Sequence, residues 1–354
     1  VNTRELFHAF VNFERVSRIP RRANFTADLA LRLEKELGKH PSLYWGMDSG
    51  RGANLTPPAG CTPPDFTPYF PDYAGKPAFT IDANGCGHLN HGYYHFTEYI
   101  SPLRNAESLR ELESFPIPSN KGWSEAALAE AGSAAHAAGI HSWVFVGHMY
   151  ETAWQIRGYE PFLMDLLTQR DWAELLLDRI AENNKRTAEA AARAGYDCIM
   201  AGDDVANQNA MMFQPDLWRE VMKPRWAAVI GAARAIKPDI HVWYHSDGNI
   251  WDILDDLVEI GIDILNPVQP ECLDPVAIRT RFGKRLAFDG CVGTQTTLPF
   301  GTPDDVRNTI RRLAFDLDGM NGGLMLSPTH ILEPDVPVAN IRAFFETCGE
   351  LDPV

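Results

Sequence analysis

The stretch IHVWYHSDGNIWDILDDLVEIGIDILNPVQPE (residues 240–271) decides the fold. It opens on a short apolar run, IHVWY, which breaks into the polar cluster HSDG. A helix-like segment follows from about Asn249, and a second short apolar run, IDIL, ends in NPVQPE. Two buried strands joined by an amphipathic helix make a βαβ unit, the building block of a parallel sheet. The same pattern recurs along the chain. HSWVFVGHMYE (141–151), YDCIMAGDD (196–204), RLAFDGC (285–291) and GLMLSPTH (323–330) each pass from an apolar run to polar or reactive residues. A (β/α)8 barrel builds its active site at its strand exits, so this distribution predicts an α/β barrel enzyme. The chain is expected to be one barrel domain over residues 1–354. Residues 1–77 are expected as an N-terminal helical and loop-rich extension, with 41–77 as a rim loop.

Composition narrows the partners. The net charge is −15, which disfavours nucleic acid, because phosphate recognition needs a basic stripe. Anionic membrane surfaces are disfavoured for the same reason. No apolar run approaches the ~18 residues of a membrane span. The opening VNTRELFHAF carries no basic segment leading into an apolar one, so no secretory signal is expected. The six cysteines are scattered, with no CxxC pair, which fits a reducing cytoplasm.

The strand exits supply the candidate site residues Glu151, Asp203, Asp204, His245, Asp247, Glu271, Cys291 and His330. His245 and His330 close two different strands and are able to converge on one ion. With Cys291 they would form an open three-ligand zinc site. Cys291 reads equally as a packing thiol. Asp203 and Asp204 are adjacent carboxylates at one exit, an expensive arrangement unless one meets a cation, a helix N-terminus or a substrate donor. A strand-exit carboxylate is expected outside the core, so replacing either should barely move stability. Glu151 reads as an acid or base, or as a helix cap. Asp247 reads as substrate-binding, sharing a face with His245 if the pleat continues, or as a cap of the next helix. Glu271 reads as substrate-binding or as a loop carboxylate. Tyr93 and Tyr94, with the aromatics of residues 41–100, line a pocket or form a second minor core. His88, His91 and His95 read mainly as a substrate-facing or surface loop.

From about Val146 to Ile341 the chain resembles the uroporphyrinogen decarboxylase superfamily, most closely its branch of corrinoid-dependent methyltransferases and O-demethylases. The resemblance rests on ETAWQIRGYEPFLMDLL, AGYDCIMAGDDVANQNAMMFQPDLWREVMKP, VWYHSDGNIWDILDDLVEIGIDILNPVQPE, FDGCVGTQTTLPFGTPDDV and PTHILEPDVPVANI, in that order. It implies methyl transfer between a small methoxylated or N-methylated molecule, or tetrahydrofolate, and the cobalt of a corrinoid (cobalamin). The corrinoid is implied to ride on a separate, transiently docking protein. It also implies zinc held by His-x-Cys and a later Cys. Here His245 and Asp247 occupy the first pair and the later position falls near His330, so oxygen and nitrogen donors replace thiolates. Such a site is a stronger Lewis acid, suited to polarising an ether oxygen or amine. A metal-free decarboxylase is the second expectation. The segment RIPRRANFT carries Arg18, Arg21 and Arg22 without the decarboxylases' usual surroundings.

Overall fold

A computed structural model describes residues 2–73, 75–92 and 97–352. Three short strands, β1 (Phe79–Ile81), β2 (Gly87–Asn90) and β3 (Thr97–Ile100), form an antiparallel sheet. Six more, β4 (Trp143–Gly147), β5 (Cys198–Gly202), β6 (His241–His245), β7 (Ile264–Asn266), β8 (Ala287–Val292) and β9 (Leu324–Pro328), form a parallel sheet in sequence order. The five apolar runs named above and the run IDIL are these six strands, and helices fill the intervals.

The sheet closes through the N-terminal region. Arg21 pairs in parallel with Leu326 on β9, and Arg51 pairs with Ser142 just ahead of β4. Asp48 N–H donates to Arg21 O at 2.9 Å, which joins the two segments. Residues around 20–25 and 48–53 are therefore staves of a (β/α)8-type barrel, too short and too polar to carry a strand signature in the sequence.

Two cores result. Alternate strand residues point inward, and the lower interior is filled by Cys198, Trp243, Ile264, Ala287 and Met325. The helix Thr3–Val11 plugs this end, burying Leu6, Phe7, Phe10 and Val11 on one face. The opposite strand faces meet the surrounding helices in a larger core. Arg170–Arg193 and Lys223–Ile236 pack side by side there.

The segment expected as a rim loop carries buried side chains. Leu55, Phe66 and Phe70 are buried. Phe66 and Tyr69 pack on Phe115, and Phe70 on Phe79, so these aromatics join the larger core instead of forming a second, minor one. His88 and His91 sit on or beside β2 instead of in an irregular loop. His88 bonds Asp82 and Thr97, and His91 bonds Glu98. The expected substrate contacts Tyr93 and Tyr94, and also His95, lie outside the described residues. Among the described residues, no helix is long and apolar enough to cross a membrane.

Candidate active site

Strand register brings the site together. Gly202 on β5 pairs with His245 on β6, which pairs with Asn266 on β7. Asp204 and Asp247 follow two residues beyond their strand ends. A cavity of about 360 Å³ opens there, lined by Arg22, Phe145, His148, Glu151, Asp204, Trp243, His245, Asn266 and His330, among others.

The ligand atoms of Asp204, His245 and Asp247 all lie within 4.8 Å of one another. The His245 tautomer is set from behind. Asn266 Nδ2 donates to Asp289 O at 2.6 Å, so Asn266 Oδ1 faces His245 Nδ1 at 2.7 Å and must accept. The proton therefore sits on Nδ1, leaving Nε2 with a lone pair 3.5 Å from Asp204 Oδ1. Two electron-rich atoms so placed suit a shared metal ion. Asp204 Oδ1 is itself held by Asp247 N–H at 2.8 Å. Burial pushes the Asp247 carboxyl above its usual range, and Asp204 adds to this, while His245 and His330 oppose it. Asp204 and His245 line the cavity and Asp247 lies beside them; one imidazole and two carboxylates so grouped fit a divalent ion such as zinc with a position left open.

His148 and Glu151 form a second pair on the same wall, with Nδ1 2.7 Å from Glu151 Oε2. Burial lowers the His148 pKa, but the hydrogen bond and charge of Glu151 outweigh it and raise the value to about 9. His148 sits at a strand exit, where the reasoning that marks His245 applies equally, though it is not among the eight residues expected there. Asn266 and Trp243 were also missed. Their signal is only inward-facing parity on β7 and β6.

Several expected residues lie elsewhere. Asp203 is fully buried. It accepts from Met149 N at 2.7 Å, Glu151 N at 3.1 Å and Trp226 Nε1 at 3.1 Å. It therefore caps the helix Tyr150–Arg157 of the preceding βα unit and is a positioning residue. Burial raises its carboxyl to about 7. Cys291 is buried in the outer core, away from the cavity. The backbone explains this. Gly290 (φ 150°) and Cys291 (φ 76°) both take positive φ, which breaks the strand's alternation and turns the thiol out of the barrel. Burial also pushes that thiol upward, against the thiolate form a metal needs. Glu271 does not line the cavity. Its Oε1 accepts from Thr296 Oγ1 at 2.8 Å and Gln295 N at 3.3 Å, clamping two loops. His330 lines the cavity but is not one of the three clustered ligands.

Below the mouth, Arg22 grips Asp289 through Nε and Nη2. Asp289 also accepts from Trp243 Nε1 and Ser327 Oγ, both at 2.8 Å. Arg22 is thus committed to the barrel interior.

These features define a parallel α/β barrel with a polar cavity at the carboxyl ends of its strands. The chain belongs to the uroporphyrinogen decarboxylase (URO-D) family, which residues 101–351 match. Among solved structures, it is similar in fold to a methyltransferase from Methanosarcina mazei. The TM-score is 0.66 at 19% identity, over 98% of this chain and 97% of that one. No curated protein matches.

Proposed function

We propose that this protein is a methyltransferase of the corrinoid-dependent demethylase type. It moves a methyl group between a small methoxylated or N-methylated molecule, or tetrahydrofolate, and the cobalt of a corrinoid on a partner protein. The Asp204–His245–Asp247 group in the mouth of a URO-D family barrel carries this reading. The name of the similar Methanosarcina mazei structure supports it. Zinc, when held by these three residues, supplies a Lewis acid for the heteroatom that carries the methyl group.

The chain's own residues supply the rest. Phe145, Met200 and Trp243 give the cavity an apolar wall against which a methyl group sits. His148, kept protonated by Glu151, offers a proton to the departing oxygen or nitrogen. The electron pair of the broken carbon–heteroatom bond stays on that heteroatom and takes up the proton. The reduced cobalt of the corrinoid substrate provides the pair for the new bond to carbon. The scattered, unpaired cysteines suit the cytoplasm, where such a partner would be met.

Family membership also favours a second reading, a metal-free decarboxylase. Two observations rank it lower. The cavity of about 360 Å³ suits a small ligand, not a tetrapyrrole. Its wall also carries Glu151 and Asp204, while Arg22 is already paired, which is poor complementarity for a polycarboxylate.

Purified chain mixed with methoxylated or N-methylated donors is expected to be inactive alone. It should form methylcobalt when reduced cobalamin or a corrinoid protein is added. Decarboxylation of an acidic substrate in the absence of any corrinoid would overturn this reading in favour of the second.

A further inference from the structure

A second, larger cavity of about 680 Å³ lies in the seam where the two N-terminal staves part. Below it, Asp48 N–H bonds Arg21 O. Above that bond, Ala23–Phe25 form one wall and Ser49–Arg51 the other. The seam cavity shares Ala23, Asn24 and Ile331 with the mouth cavity, so the two are neighbours across one wall.

Its chemistry differs from that of the mouth. In a chain of net charge −15, no aspartate or glutamate lines it. Arg51 does line it, and among the described residues no carboxylate pairs with its guanidinium. The Arg51 backbone is fixed by bonds to His141 O and from Trp143 N, each 3.0 Å, so the side chain projects from a rigid stave. His40 contributes a second donor. Its Nδ1 accepts from Ser42 N, which places the ring proton on Nε2. Arg51 and His40 are exposed at the open rim, and the half-buried Phe25, Met47, Ile140 and Ile331, with the exposed Leu43, supply apolar surface around them.

We propose that the seam cavity binds an organic carboxylate with an apolar body. The planar guanidinium matches a carboxylate in two-point geometry, and the apolar surface favours a carbon skeleton over inorganic phosphate. The site is independent of the metal and methyl chemistry proposed above. The carboxylate has two possible sources: the far end of the methyl donor, reaching across the shared wall, or a separate small acid.

The test is equilibrium binding to the full chain with EDTA present and no corrinoid, so its outcome does not depend on the methyltransferase reading. The probes are benzoate, 4-methoxybenzoate and uncharged methoxybenzene. Saturable binding of both acids is expected, weakened at least tenfold by Arg51→Gln and partly restored in Arg51→Lys. Methoxybenzene should respond to neither variant. His245→Ala then separates the sources. Weaker binding of 4-methoxybenzoate alone supports a donor spanning both cavities, and no effect on either acid supports a separate ligand. Failure of either acid to saturate, or an Arg51→Gln effect under twofold, overturns the proposal. Tighter binding of inorganic phosphate than of benzoate overturns it as well.

Discussion

Asn266 Oδ1 accepts the Nδ1 proton of His245 at 2.7 Å, while its own amide is pinned to Asp289 O at 2.6 Å. This relay from β8 through β7 to β6 presents His245 Nε2 to the cavity as a lone pair. Removing such a partner commonly weakens a metal site by about 10–100-fold. Asn266→Ala is therefore expected to lower zinc affinity by that order, measured by chelator competition, with the circular dichroism spectrum unchanged. Unaltered affinity would show that the relay does not orient the ligand.

Metal content separates the clustered ligands from the cysteine. Roughly one zinc per chain is expected by elemental analysis. His245→Ala should abolish it, and Asp204→Asn or Asp247→Asn should reduce it. Cys291→Ser should keep the metal and lose about 1–3 kcal/mol of stability, because it buries a hydroxyl in an apolar core. Metal lost in Cys291→Ser would restore the thiol as a ligand.

Asp203 links stability to pH. Its folded value, about 7, lies above the ordinary 3.8. The unfolded chain releases this proton first, so the group's stabilisation is present below 3.8 and fades as pH rises through about 7. Asp203→Asn, which mimics the protonated form, should flatten the fall of the unfolding midpoint across that window. A slope equal to wild type would mean the carboxyl titrates normally. The variant should also be less stable at the acid end, because its amide meets the Trp226 N–H.

The His148–Glu151 pair has a different window. The His148 value is raised from 6.5 to about 9, so its stabilisation is complete below 6.5 and is lost as pH rises through about 9. Wild type and Glu151→Gln should differ most in unfolding midpoint just below about pH 6.5 and converge above about pH 9. A gap that persists at high pH would show that the effect of Glu151 does not come from its pairing with His148.

Arg22→Met leaves Asp289 as a buried charge without its guanidinium. Breaking such a pair from one side costs about 3–5 kcal/mol. Chemical denaturation should show a loss of that size, with Arg22→Met/Asp289→Leu recovering part of it. A loss below about 1 kcal/mol would mean the pair is no stronger than an exposed one.

The sequence by itself determined the parallel barrel and the end at which its polar residues gather into a candidate site. Both follow from local rules: apolar runs of strand length, helices of amphipathic period between them, and polar residues at each strand exit. His245, Asp204 and Asp247 were legible for that reason, since each lies at or just past an exit. Only the tertiary structure decided what those residues face. Asp203 and Asp204 are neighbours in sequence, yet one caps a helix inside the wall and the other enters the cavity. Two positive φ angles turned Cys291 away from its expected ligand position, and no local pattern announces them. The closing staves at Arg21 and Arg51 take their extended form from the open edges of β9 and β4. Their hydrogen-bond partners lie far along the chain, so no stretch of nearby residues could reveal them.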